Sequence, residues 1–167
     1  MTYALDAFIK DAKSALADIE GPAGREKVRV LLEKLLTNKS FVDEAVGPAA
    51  PIGTRKLYED KDLGFVVLAH CNPKPHKSPP HDHGSSWAIY GQAWGETEMS
   101  DWEVLEAAAE GRPGKVRRGQ VYTLKPGMAH IYHEGDVHSP KRTAATGLLR
   151  IEGKNTTKLK RYPYKAV

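Results

Sequence analysis

After Pro51 the chain changes texture, and that change limits what it can fold into more than any other feature. Short apolar stretches alternate with clusters of Gly, Pro, Asn and Asp. The stretches Arg55–Glu59, Gly64–His70, Ser86–Ala93, Glu96–Leu105, Lys115–Leu124, His130–His133, Gly147–Glu152 and Lys158–Tyr162 all read as strands. Many short strands at this spacing predict an all-β sandwich or barrel. The residues before Pro51 read differently. Leu5, Phe8, Ile9, Ala12, Leu16 and Ile19 recur at helical spacing and predict a helix over 2–20, ended by Gly21-Pro22. A second helix is predicted over Arg25–Thr37, with Val28, Leu31, Leu32, Leu35 and Leu36 on one face. A short third is predicted over Ser40–Val46, capped by Ser40 and stopped by Gly47-Pro48. The expectation is a mainly β protein in one domain spanning 1–167, with a helical lead (1–50) packed on a β-barrel (51–167).

A chain of 167 residues can bury a substantial core. Hydrophobic residues at 40% and charged residues at 28% are ordinary for a globular domain, and no apolar run is long enough for a membrane span. The N-terminus lacks the order of a signal peptide. A single cysteine, Cys71, excludes an internal disulfide framework, so a reducing, cytoplasmic setting is expected. The formal charge of +4 is carried largely by a basic C-terminal end with Lys154, Lys158, Lys160, Arg161 and Lys165. The other cations are interspersed with acids, without the clustering and interleaved aromatics of a nucleic-acid surface. Neither nucleic acid nor membrane is expected as a partner.

The chemistry points to the histidines. Pro73–Pro80 is a proline-rich loop that leads into Pro80-His81-Asp82-His83-Gly84. In an extended segment residues i and i+2 share a face, so His81 and His83 can present two imidazoles to one metal ion while Asp82 points away. A third ligand must come from elsewhere, and His130, His133 and His138 are available. His130 and His138 each follow a glycine turn and enter a strand, whereas His133 lacks the glycine lead. Spacing alone does not choose between His130 and His138. His70 and His76 flank the loop and read as exposed or ordinarily packed. Trp87, Trp94 and Trp102 read as packing residues. Tyr90, Tyr122 and Tyr132 are all able to reach a pocket.

The stretch from Pro80 to Gly91, followed by Gly95-Glu96, resembles the first motif of the cupins, whose fold is a double-stranded β-helix or jelly-roll barrel. It is most similar to the thiol dioxygenase branch, cysteine dioxygenase and 3-mercaptopropionate dioxygenase. The usual cupin glutamate is missing here, with Trp87 and Ala88 in its region, as in that three-histidine branch. Leu124-Lys125-Pro126-Gly127 and Glu134-Gly135-Asp136-Val137-His138 resemble the second motif, and this resemblance selects His138 over His130 as third ligand. It also implies that Arg55, upstream of the histidines, binds a substrate carboxylate, for which a guanidinium fork is well matched. Two departures stand out. Ala88 lies where animal cysteine dioxygenases carry their cross-linking cysteine. The branch's Ser-x-His-x-Tyr relay is replaced by Leu148-x-Arg150-x-Glu152.

The resemblance therefore implies a non-haem Fe(II) dioxygenase with a His81, His83, His138 site. Its substrate would be a small carboxylate-bearing anion, a thiol among the candidates, with dioxygen as co-substrate. Arg55 and Arg150 would bind the substrate, with Glu152 and Tyr90 beside them. Zn, Ni or Mn would suit the same donors in a cupin isomerase or hydrolase, and a non-catalytic binding cupin is a further alternative. At fold level a homodimer is also implied.

Overall fold

The computed structural model describes residues 2–167. Three helices lead: α1 (Leu5–Asp18), α2 (Pro22–Leu36) and α3 (Lys39–Val46). The second starts three residues earlier than its hydrophobic spacing suggests, because Pro22 occupies the first helical turn, where its missing N–H is harmless. The third is capped by Asn38, not Ser40: the Asn38 side chain accepts from the Phe41 N–H at 3.1 Å.

Ten strands follow: β1 (Gly53–Glu59), β2 (Val66–Asn72), β3 (His76–Lys77), β4 (Ala88–Trp94), β5 (Thr97–Glu106), β6 (Gly114–Leu124), β7 (Ala129–Tyr132), β8 (Val137–Arg142), β9 (Thr146–Glu152) and β10 (Tyr164–Ala166). They form two five-stranded sheets, in the orders β1-β2-β9-β4-β7 and β10-β6-β5-β8-β3. The predicted strand Lys158–Tyr162 is not formed. Asn155 instead caps a 3-10 turn over Thr156–Lys158, and the chain pairs only after Pro163, parallel to β6. Of strand β8 the sequence shows only the entry at His138, because Pro140 interrupts the run. Its neighbours Ser139 and Lys141 pair with β5, while the Pro140 carbonyl accepts from Ser78 on the other side. The donor that proline lacks thus faces the short edge segment, where strands tolerate it.

Period-2 alternation divides the first sheet. One face carries Phe65, Val67, Ala69, Ile89, Leu149 and Ile151, which pack with Phe8, Ala12, Val28, Leu32 and Leu35 of the helices in a single apolar cluster. Helix α2 comes so close that a Cβ added at Gly91 would lie 2.8 Å from a Leu32 methyl, so a larger residue there would push the Leu32 side chain aside. The opposite face turns toward the second sheet and builds a smaller cluster of Ala88, Tyr90, Met99, Leu124, Tyr132 and Leu148. The same inner space holds His83, His138 and Glu152, each no more than 2% exposed.

The β1–β2 turn is held by buried Asp60. Its carboxylate accepts from the Asp62 and Leu63 N–H groups at 3.0 and 2.7 Å and from Tyr58 Oη at 2.8 Å, and Lys13 lies 3.2 Å away. The Leu63 N–H bond is the main cause that holds the Asp60 carboxyl down at about 2. A carboxylate depressed in the folded state stabilises the fold above its unfolded value near 3.8, and loses that effect as pH falls toward about 2. Asp60→Ala is expected to reduce unfolding free energy by about 2 kcal/mol at neutral pH. In denaturant titrations the gap between the two proteins should narrow as pH falls from 4 to 2. A gap constant across that range would exclude this role.

Candidate metal centre

His81 and His138 are brought together by the backbone. The His81 N–H donates to the His138 carbonyl at 3.0 Å, and the His138 N–H donates back at 2.9 Å. This two-bond bridge makes them direct cross-strand partners, so their side chains leave the same face. The His81–His83 segment is not a continuous strand, as the sequence suggests, but a single bridge followed by a turn. Gly84 makes the turn with φ +63°, and a Cβ there would also approach the Lys160 carbonyl at 3.1 Å. Asp82 points away, accepting from Gly84 N at 3.0 Å and Tyr164 Oη at 2.9 Å, which ties the turn to the C-terminal strand.

One donor nitrogen from each of His81, His83 and His138 lies within 4.8 Å of the others. His81 Nδ1 donates to the Pro79 carbonyl at 2.9 Å, and His138 Nδ1 to the Asp136 carbonyl at 3.0 Å. Those bonds fix the neutral tautomers whose Nε2 lone pairs are free, the arrangement expected behind a metal. His83 Nε2 stands 3.3 Å from His138 Nε2. Ligands of one ion with bonds of about 2.0–2.1 Å are separated by about 3.0–3.4 Å, so the spacing fits. Burial is the leading cause that lowers the proton affinity of all three rings, with His138 near 3, so each is held as a neutral ligand. Tyr132 stacks on His138 with centroids 3.8 Å apart, which fixes the ring plane.

Glu152 stands behind His83. Its Oε2 accepts from Thr156 N at 3.3 Å and Oγ1 at 2.9 Å. Its Oε1 is 2.9 Å from Arg150 Nε and 3.7 Å from His83 Nδ1. The contact with Arg150 is ionic and lacks hydrogen-bond alignment, and the one to His83 is too long for a hydrogen bond. Arg150 Nη1 lies 3.5 Å from Tyr90 Oη.

Arg55 corrects an expectation. It pairs across the sheet with Ala69, on the face that packs against the helices, and its guanidinium donates to the Ala45 carbonyl of α3. It lines an outer groove with Asn38 and Leu57 and does not reach the histidines. The residue missed by sequence reading is Arg142. It is 8% exposed, and Arg150 and Tyr90 both act on it electrostatically. Period-2 counting from His138 through Pro140 places Arg142 on the same face, a signal present in the sequence. His70, on β2 beside the loop, is packed inside and is not exposed. It neighbours Arg142 and Arg150, its Nδ1 is 2.9 Å from Thr54 Oγ1, and burial pushes its proton affinity far down.

His130 lies apart from the three-histidine group, in a cavity of about 210 Å³ lined also by Asp101, Trp102 and Asp136, and packs on Tyr122 and Tyr132. His133 faces Arg25 of α2 at 3.2 Å, and His76 is exposed. Cys71 donates toward the Gly47 carbonyl on the helix side, away from the inner tyrosines.

No protein-family model and no curated protein matches this chain. Solved structures do. A Klebsiella pneumoniae protein described as uncharacterized and conserved, with a double-stranded β-helix domain, is 18% identical with a TM-score of 0.50 over 74% of this chain and 89% of its own. A hydroquinone 1,2-dioxygenase solved with Cd2+ and 4-hydroxybenzonitrile is 14% identical with a TM-score of 0.50, over 65% of this chain and 68% of its own. A cupin superfamily protein from Desulfitobacterium hafniense is 10% identical with a TM-score of 0.44, over 61% and 76%. Likeness at this identity is a likeness of fold: the barrel is a cupin-like double-stranded β-helix.

His138→Ala is expected to lower divalent-metal affinity by at least a hundredfold, while His130→Ala leaves it within about threefold. Isothermal titration of the metal-free protein measures both. The reverse ranking would assign the third ligand to His130.

Proposed function

We propose that this chain is a metal-dependent cupin enzyme, a non-haem Fe(II) dioxygenase with a three-histidine site that acts on a small carboxylate-bearing substrate. The observation that carries the reading is the convergence of three neutral imidazoles beside two inner arginines. Only one of those arginines, Arg150, has an acid partner among the described residues. Fe(II) held on three imidazoles would keep its full charge and an open face, where an anionic substrate and dioxygen can meet.

The chain's own side chains would do the rest. Arg150 is partly neutralised by Glu152, whereas Arg142 is not. A carboxylate placed against Arg142 and Arg150 would gain charge-assisted hydrogen bonds and relieve the repulsion between the two cations. This moves the substrate clamp from Arg55 to Arg142. An ammonium group would meet the same two cations, so an amine-free acid fits better, such as a mercapto-carboxylate or a dicarboxylate. Met99, Tyr132 and Leu148 line the inner cluster and keep it dry, which strengthens each of these contacts. A reducing, cytoplasmic setting suits Fe(II) and the free thiol of Cys71. No described helix is long and apolar enough to cross a membrane.

The test is metal analysis after expression with iron supplied, then oxygen uptake on matched small acids, thiol acids and their amides. Uptake is expected with acids and not with amides. Arg142→Met should raise KM for the acid about tenfold to a hundredfold, the worth of a charge-assisted contact, and Arg55→Met should leave it unchanged. An iron-loaded protein with no uptake on any acid would sink the oxygenase reading. Lewis-acid chemistry on Zn, Mn or Ni would then be tried next.

A further inference from the structure

We propose that Tyr90 is a fourth protein ligand, so that the centre is built from three imidazoles and one tyrosinate. The inference rests on the metal-centre reading above and extends it. Tyr90 Oη lies 3.1 Å from His83 Nε2 and 3.4 Å from His138 Nε2, and those nitrogens are 3.3 Å apart. The three atoms are the corners of a nearly equilateral triangle. Its centre is about 1.9 Å from each corner, close to the bond length of about 2.0–2.1 Å at which such donors would hold an ion.

A phenol has one proton to donate and lone pairs that accept: here it can donate to His138 Nε2, whose own proton sits on Nδ1, and accept from an Nε2–H tautomer of His83, bonds that a shared cation would replace. Its third partner, Arg150 Nη1 at 3.5 Å, is itself a donor. No carbonyl or carboxylate oxygen lies within hydrogen-bonding range of the hydroxyl among the described residues. The phenol is 3% exposed. An oxygen held between two imidazole nitrogens and a guanidinium is placed for an anion that shares a cation with those nitrogens.

Charge supports the same conclusion. A divalent ion on three neutral rings would add to the positive charge of Arg142 and Arg150, against which Glu152 is the one acid in contact among the described residues. A phenolate would cancel one charge. On metal binding the O–H bond breaks, the proton leaves to the buffer and an oxygen–metal bond forms, with no change of oxidation state. Four protein ligands would leave a six-coordinate ion two open positions, and an anionic oxygen donor would favour the higher oxidation state of a redox metal. The backbone aims Tyr90 at this point: on β4 it pairs with Arg150 of β9 on one side and His130 of β7 on the other.

The experiment is titration of the metal-free protein with Cu(II) alone, followed by visible absorption, resonance Raman and proton release. The expected result is one copper per chain, a phenolate-to-copper charge-transfer band and enhanced tyrosinate ring modes. Tyr90→Phe should still bind one copper, lack the band and release one proton fewer. Tyr122→Phe and Tyr132→Phe should keep the band, which also assigns it should Tyr90→Phe fail to fold. One bound copper with no phenolate band in the unmodified protein would overturn the Tyr90 proposal and leave the three-histidine centre standing. A band that survives Tyr90→Phe, or vanishes in either other variant, would overturn it as well. No bound copper at all would remove both readings.

Discussion

The two backbone hydrogen bonds between His81 and His138 join the proline-rich segment to β8, and the centre depends on that junction. The segment carries Pro73, Pro75, Pro79 and Pro80, so it has few donors with which to make a regular strand. It pairs with β8 at His76–Lys77, again through Ser78, and last through His81. Because that last pair is cross-strand, both imidazoles leave on one side, and the turn at Gly84 returns His83 to the same space. Once the strands are paired, three rings distant in sequence meet with little side-chain entropy left to lose.

Around that junction the protein sets neutral rings, two arginines, a phenol and one carboxylate in a largely apolar interior. Burial keeps the histidines uncharged. The same burial makes an unpaired guanidinium costly, and Arg142 tolerates it with no acid beside it among the described residues. A structural role alone would be served better by an apolar residue. An interior poised positive is suited to receive an anion, and the Arg150–Glu152 contact tempers the charge until one arrives.

Much of the fold was legible because periodicity is local. Leu5, Phe8, Ala12 and Leu16 announce a helix without reference to anything else, and Gly64 to His70 announce a strand, found over Val66–Asn72. Boundaries were less legible where a side chain decided them, as Asn38 did for α3 and Asn155 for the turn after β9. The length of strand β8 beyond His138 was hidden by Pro140, which is harmless because its missing donor faces the edge segment. Arg55 and Arg142 show the deeper limit. Both are arginines on short strands, and which one enters the barrel depends on which face of each strand the pairing turns inward.

The sequence by itself determined the mainly β class, the helical lead and the pair His81 and His83, since these follow from spacing along one chain. Resemblance of motifs added His138. Only the tertiary structure decided that Arg55 turns toward the helices, that Arg142 and His70 turn inward, and that Tyr90 Oη stands within 3.4 Å of two imidazole nitrogens. The reason is physical. Local pattern states that a strand has two faces, but a face becomes inner or outer only when register, closure of the sheets and the packing of α2 and α3 assign it.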